Sequence, residues 1–317
     1  MKDRNFAQEL KDYVYTHPKL VKARPVDKGL YILKYTNHVF FKGLWNEYLE
    51  ECRGTVVDKD FNVVTRPFTK IYNYGIDKDA PVFHEDTPVT AIRKVNGFLV
   101  NVSFYQNDLI ITTTGAAQGP HVDMAKEYIS QIKNYVFNVF EDTLLENCTL
   151  MFECVHPEDP HIISEKSGLY LIGIRENKWD SDVIHDKYLI DVVAYLLSVK
   201  TPNFYEGVTI KSLKECTYHA DHEGYVFYTE DGQAAKMKSP YYLNKKLLAR
   251  ITSTEKLLDR HTAYRIDEEY YPLLKYIRSM ADDFIAMTEQ ERIKVINDFF
   301  YFEMEPPVKP QVDPAEE

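Results

Sequence analysis

Residues 94–114 read Lys-Val-Asn-Gly-Phe-Leu-Val-Asn-Val-Ser-Phe-Tyr-Gln-Asn-Asp-Leu-Ile-Ile-Thr-Thr-Thr, which spells two β-rich runs joined by a Gln106-Asn107-Asp108 turn. Working outward, runs of the same kind recur at 29–35, 54–58, 61–65, 149–155, 169–175 and 224–229, separated by Asp-, Asn- and Gly-bearing turns. Helical spacing interrupts them twice, at 121–140 and 183–198. Hairpin strands mixed with covering helices, without regular βαβ alternation, predict an α+β domain built on antiparallel sheet. Neither GxGxxG nor GxxxxGK[ST] occurs, so any nucleotide site has to be built from side chains.

The ends of the chain differ from this body. From Ser239 to about Phe302 the apolar spacing turns helical, and Thr288-x-x-Glu291 forms a capping box ahead of Ile293-Lys-Val-Ile-Asn-Asp-Phe-Phe. After it, Glu305–Glu317 is too proline-rich and acidic to pack. The reading is therefore a principal domain over 1–240, a small all-helical module over 241–304 and an unstructured tail over 305–317. At 317 residues the chain has ample length for a core, and 24 Tyr with 17 Phe set it apart from disordered sequences. It has no apolar run long enough to span a bilayer and no signal-peptide pattern, which sets the expectation of a cytoplasmic protein with no membrane association.

A net charge of −11 argues against a polyanion partner until its distribution is examined. Residues 1–100 carry 16 basic and 13 acidic side chains, and residues 201–250 carry seven and six. Residues 101–200 and 251–317 carry 15 acidic side chains each, against seven and eight basic ones. Two segments are thus left able to face phosphate. Cys52, Cys148, Cys154 and Cys216 show neither CxxC nor framework spacing and read as reduced thiols.

Chemistry concentrates in those two segments. Lys94 closes one strand and precedes a glycine turn at Gly97, which presents an amine to a cleft and lets backbone approach a ligand. In Ala235-Lys236-Met237-Lys238 the alternation puts both ammonium groups on one face of a strand, where they repel unless an anion lies between them. Arg53 stands in Glu-Cys-Arg-Gly, and Lys70 and Tyr72 in Arg66-Pro-Phe-Thr-Lys-Ile-Tyr-Asn73. Glu153 interrupts the apolar run Leu150-Met-Phe-Glu-Cys-Val155 and needs a partner or ligand there, and Glu223 opens Gly-Tyr-Val-Phe-Tyr. His219-Ala-Asp-His222 has some look of a metal cluster, but two histidines three apart in a turn read better as solvated. His156, Asp159 and His161 read as loop residues.

In this order, ECRG, RPFTKIYN, KVNG, FECV, HEGYV and AKMK resemble the covalent nucleotidyltransferases, and the flanking words are most similar to the phage RNA-repair ligases of the first type, over about residues 30–245. The resemblance implies an ATP-dependent RNA ligase: lysyl-AMP forms from ATP, AMP passes to an RNA 5′-phosphate, and a 3′-hydroxyl seals the break. It implies Lys94 as nucleophile, Gly97 lining the nucleotide, Arg53 and Lys70 on phosphates or ribose, and Tyr72 stacked on the base. Glu153 would serve ribose or metal, Glu223 the metal, Lys236 and Lys238 the α-phosphate, with Tyr242 nearby. ATP as AMP donor, Mg2+ or Mn2+ as cofactor and RNA ends as partners follow from the same resemblance, with no obligate protein partner and the cytoplasm of a host cell as the location. A lysine whose ordinary pKa is about 10.4 has to lose its proton to attack, and Lys236, Lys238 and a divalent metal are expected to favour that loss.

The chain departs from the pattern at Thr114, where those relatives carry a lysine before the glycine, and its C-terminal segment is shorter than their specificity domain. Rival readings are a DNA ligase, a GTP-using capping enzyme, or a nucleotide- or RNA-binding relative without catalysis. Nothing basic in residues 239–317 suggests the oligonucleotide-binding barrel the first two would append, and retention of Lys94, both glutamates and both lysines weighs against the third.

Overall fold

A computed structural model describes residues 6–141, 145–266 and 270–302. The tail from Glu305 lies outside the described residues. The N-terminal part runs α1 (Phe6–Thr16), β1 (Val21–Val26), β2 (Leu30–Tyr35), α2 (Asn37–Lys42), α3 (Glu47–Glu51), β3 (Arg53–Val57) and β4 (Val63–Thr65), and its strands form an antiparallel sheet in that order. Next come β5 (Tyr72–Asn73), β6 (Pro88–Arg93), β7 (Phe98–Tyr105), β8 (Asp108–Thr113), α4 (Pro120–Gln131), α5 (Lys133–Glu141) and β9 (Cys148–Val155). The body ends with β10 (Gly168–Glu176), β11 (Val183–Ile184), α6 (Lys187–Leu197), β12 (Phe204–Thr209), α7 (Ile210–Tyr218), β13 (Gly224–Tyr228) and β14 (Ala234–Lys238). These strands make two five-stranded sheets, β11-β10-β9-β7-β8 and β12-β6-β13-β14-β5, antiparallel except where β5 joins β14. The α+β reading with antiparallel sheets holds.

Side-chain alternation sorts the strand faces. Val100, Val102, Leu150, Phe152, Leu169 and Leu171 share a core with α4, α5 and α6 on one side of the first of these sheets. In the other, Val89, Ala91, Tyr225, Phe227, Ala235 and Met237 pack with Ile210 and Leu213 of α7. With those residues committed to helices, the intervening ones, including Leu99 and Glu153 in one sheet and Ile92, Val226 and Lys236 in the other, line a common cleft.

The hairpin quoted above forms over β7 and β8, with Gln106 and Asn107 both at positive φ (50° and 58°), the twist a two-residue hairpin turn requires. The helix expected over 121–140 is two, because the chain leaves helical geometry at Ile132 (φ −113°, ψ 13°), whose side chain packs against the core. In the other helical stretch, Val183 and Ile184 pair with β10, and α6 starts only after Asp186, whose carboxylate accepts the Leu189 N–H at 2.8 Å.

Beyond β14 the chain is helical: α8 (Pro240–Ala249), α9 (Thr254–Leu258), α10 (Arg260–Ala263), α11 (Tyr271–Ser279), α12 (Ala281–Ala286) and α13 (Glu289–Phe302). The capping box closes, with Thr288 N–H donating to Glu291 Oε2 at 2.7 Å and Glu291 N–H to Thr288 Oγ1 at 3.2 Å. The core of this part, around Leu248, Leu257, Leu274 and Phe284, also takes in Ile162 and Ile163 from the loop after β9, so these helices pack on the body.

Glu51, at the end of α3, ties the N-terminal sheet to the body. It is buried with Arg66, which reaches its two oxygens at 2.7 and 3.2 Å, while Arg175 of β10 lies at 3.9 Å and donates to Pro67 O at 2.8 Å. Removing one member of such a group strands buried charge. Glu51→Leu is expected to lower unfolding free energy by about 3–5 kcal/mol, read by urea denaturation. A loss within error of zero would show that the network carries no stability.

Candidate active site

Lys94 follows β6, and its N–H donates to Gly224 O at 2.8 Å, which fixes it beside the start of β13. Its Nζ lies 3.4 Å from Glu223 Oε2 and 3.9 Å from Glu153 Oε1, so one ammonium joins carboxylates from two sheets. Glu223 is held by two further donors, Lys238 Nζ at 3.1 Å and Asn96 Nδ2 at 2.8 Å, and Glu153 accepts the Gly97 N–H at 3.0 Å. Gly97 is required at this place, because a Cβ there would stand 2.2 Å from Cys154 O. Asn96 also accepts the Ile163 N–H at 2.9 Å, joining the lysine turn to the loop that docks the C-terminal helices.

Burial by itself would lower the Lys94 pKa, but Glu223 and Glu153 outweigh it and hold the amine above its ordinary range. Among the protein's own groups the carboxylates therefore outweigh the cations expected to favour proton loss, with Lys238 occupied by Glu223. For Glu223 burial opposes ionisation, yet Lys94 and Lys238 hold its pKa below the usual glutamate value, whereas burial pushes Glu153 up despite Lys94.

Two chambers adjoin at Arg53 and Lys236, and Lys94 lines the first of them. One is a slot of about 180 Å3 between the five-stranded sheets, with Ile92 and Val226 on one wall, Leu99 and Ile172 on the other, and Phe68 and Tyr228 among its lining. Arg53, Arg93, Lys94, Glu153 and Lys236 are the charged residues of its lining. The other, about 540 Å3, holds Arg53, Lys70, Lys236, Lys238 and Lys246. Among the described residues no carboxylate lies within 4 Å of Arg53, Lys236 or Lys246, while Lys70 has Asp77 at 3.6 Å. Burial, then Lys70, Lys238, Arg53 and Lys94, pull Lys236 down to about 7, and burial, then Lys238 and Arg250, pull Lys246 down to about 8.

Arg53, Lys70, Lys94, Gly97, Glu153, Glu223, Lys236 and Lys238, all read from sequence, are thus brought to one cleft. Tyr242 is buried on α8, with Lys238 Nζ 4.7 Å from its ring centre. Tyr72 is the exception in kind. It lines the cationic chamber and not the apolar slot, its hydroxyl donates to Glu50, and Lys70 Nζ lies 4.4 Å over the ring. Ile172 and Val226, which line the apolar slot, were missed, although alternation in Gly-Tyr-Val-Phe-Tyr opposes Val226 to the core residues Tyr225 and Phe227. Lys34 was missed too. Its Nζ donates to Thr114 O at 3.1 Å, placing an ammonium beside the position where a lysine is lacking, and burial, with repulsion from Arg53 and Arg24, pulls it down to about 8. His222 is buried and accepts the Gly224 N–H at 3.1 Å, a structural contact that supports the turn before β13.

Among the described residues no three His, Cys, Asp or Glu side chains gather as a metal-binding group. Glu153 and Glu223 alone suit Mg2+ or Mn2+ in the manner of sites completed by substrate phosphates, which need only one or two carboxylates. No helix among the described residues is long and apolar enough to cross a membrane.

A sequence model described as RNA ligase matches residues 51–245. The fold is similar to a candidate ATP-dependent DNA ligase of Aquifex aeolicus, with 16% identity and a TM-score of 0.51, over 92% of this chain and 77% of that one. An archaeal ATP-dependent RNA ligase matches with 15% identity and a TM-score of 0.51, over 92% and 75% of the two chains. At such identities the likeness is one of fold, an α+β nucleotidyltransferase fold with antiparallel sheets and C-terminal helices.

Lys236 tests the electrostatics of the cleft. With its pKa at about 7 in the folded protein and 10.5 as its ordinary value, the unfolded chain binds more protons between those pH values. The destabilisation from its charge is therefore full below pH 7 and fades as pH rises toward 10.5. Lys236→Met is expected to raise the melting temperature of the nucleotide-free protein, by several degrees more at pH 6 than at pH 9.5, a shift per kcal/mol of about 2–4 °C being usual for larger domains. Equal shifts at both pH values would show that its charge carries no such cost.

Proposed function

This chain belongs to the RNA ligase family, and from that premise we propose that it is an ATP-dependent RNA ligase that forms a covalent lysyl-AMP at Lys94 and passes the AMP to an RNA 5′-phosphate. The observation that carries the reading is the position of Lys94 Nζ, between two carboxylates and on the wall of an apolar slot that shares Arg53 and Lys236 with a cation-lined chamber.

The slot suits a purine, with Ile172 and Val226 as the apolar faces on which the base lies. The triphosphate then extends into the chamber, where Arg53, Lys70, Lys236 and Lys238 offset its charge. Phosphate between them relieves the repulsion that pulls Lys236 down, so the cluster is built to be completed by an anion. A divalent cation on Glu223 and Glu153, shared with the phosphates, would supply the positive charge that offsets both carboxylates and the transferring group. Lys94, whose side chain is partly exposed, passes its proton to solvent, Nζ attacks the α-phosphorus in line, the N–P bond forms, and the P–O bond to pyrophosphate breaks with its electrons leaving on pyrophosphate. In the next transfer an RNA 5′-phosphate oxygen forms the P–O bond, and the N–P electrons return to Lys94. A 3′-hydroxyl then displaces AMP as the ends join.

The experiment is incubation with α-labelled ATP or GTP and magnesium, followed by denaturing electrophoresis, then end-joining with matched 5′-phosphorylated RNA and DNA. Label is expected on the protein from ATP, absent in Lys94→Ala, reduced at least about 100-fold in Glu223→Ala and Lys238→Ala, as for loss of a group that stabilises transition-state charge, and retained in His219→Ala. Label surviving in Lys94→Ala would refute the nucleophile, and joining of DNA in preference to RNA would refute the substrate.

A further inference from the structure

Helix α2 and the residues after it carry an aromatic surface that the reaction scheme leaves without a task. Phe40 is 57% exposed and Phe41 77%, their rings edge to face at 5.5 Å, and Leu44 beyond them is exposed as well. Single exposed apolar residues need no explanation, but two adjacent phenylalanines on one short helix do. Phe40 and Trp45 line the cation chamber itself, so this surface is its lip. The segment from Asn37 to Trp45 has Lys42 and His38 and no acidic residue, in a chain with net charge −11. Within the chamber Arg53, Lys70, Lys78, Lys236, Lys238 and Lys246 stand against Asp77 and Asp79.

Phosphate-binding cations in a groove with open aromatic rings at its edge are what unpaired nucleotides bind: the backbone takes the charge, and each base stacks on a ring. Resting on the ligase reading, in-line chemistry says which nucleotides arrive there. The pyrophosphate oxygen that leaves the α-phosphorus and the RNA oxygen that later attacks it both lie opposite Lys94 Nζ, so the RNA 5′-phosphate enters the chamber that pyrophosphate vacates. The nucleotides attached to that phosphate then emerge across its lip.

We propose that Phe40 and Phe41 form a stacking platform for the unpaired bases next to the RNA 5′-phosphate, and that this platform selects frayed or single-stranded ends over paired ones.

The test measures binding of a 12-nucleotide single-stranded RNA with a 5′-phosphate and a 3′ fluorophore by anisotropy, beside the same strand in a blunt duplex. The proteins are wild type and the double replacements Phe40→Ala with Phe41→Ala, both to Leu and both to Trp, each checked by thermal melting. Base stacking on two rings sets the expected loss for the Ala and Leu proteins at about tenfold or more on the single strand. The Trp protein should stay within about threefold of wild type, and the salt dependence should be unchanged because the phosphate contacts remain. Duplex affinity should be the same in all four. Leu binding as well as Trp, or Ala as well as wild type, overturns the proposal. So does a wild-type dimer, seen by light scattering, that the Ala protein cannot form, since the rings would then belong to a contact between copies of the chain. Label transfer from ATP is measured on the same preparations: wild type that takes no label refutes the ligase reading and this inference with it, whereas normal labelling with unchanged RNA affinity in the Ala protein refutes the platform alone.

Discussion

One ammonium held between two carboxylates from different sheets organises this molecule. Lys94 can reach Glu223 and Glu153 only if the ends of β6, β9 and β13 converge, and the backbone shows the tightness of that convergence. A side chain at Gly97 would enter the carbonyl of Cys154, and one at Gly224, where φ is +125°, would stand 2.1 Å from Met237 O. Each carboxylate is also a hydrogen-bond acceptor for the turn that carries the lysine, Glu223 from Asn96 and Glu153 from Gly97. The same contacts that satisfy buried charge therefore set the position of the Lys94 amine, so it is preorganised without any residue serving position alone.

The cations around this triad run the other way energetically. Lys94 is compensated; Lys34, Lys236 and Lys246 are pulled below the ordinary lysine range by burial and by other cations, Arg53 and Arg24 for Lys34, Lys70 and Lys238 for Lys236, Lys238 and Arg250 for Lys246, with no carboxylate within 4 Å among the described residues. A fold selected for stability alone would place a carboxylate among them or replace them with apolar residues. The Glu51 cluster shows that the chain does pair buried guanidinium groups with a carboxylate where the surroundings are structural. The cleft departs from that pairing where a polyanion would supply the missing charge.

The parts of this arrangement legible in the sequence are those that depend on local period. Alternation gave the strands and set Lys236 and Lys238 on one face, and the buried position of Glu153 announced that it needed a partner. Helix α1 went unread, as did the short α2, α3 and α7, whose six, five and nine residues among strands give little helical period, and the break at Ile132 depends on what its side chain packs against. Tyr72 lies in the cationic chamber, and an aromatic in a two-residue strand does not reveal from sequence which cavity its face adjoins. Lys34 lies 80 residues before its contact at Thr114, and only the pairing of β2 with β3, which sets Lys34 opposite Arg53, brings it near.

That pairing changes the meaning of Thr114. Read along the chain, a missing lysine removes a cation from the site; read in space, Lys34 Nζ stands against the carbonyl of that residue, and its stem lies where a Cβ on Gly115 would be, 2.7 Å away. Glycine at 115 therefore makes the room for a lysine delivered from another sheet. The charge of the cleft is then a property of the assembled strands more than of any motif. The same holds at the C-terminal side, where Tyr242 belongs both to the core of the helices and to the surroundings of Lys238. Because Ser239 caps α8 and its N–H donates to Glu223 O at 3.1 Å, the first turn of those helices and the carboxylate beside Lys94 share one backbone segment, and displacement of α8 would be felt at Lys94.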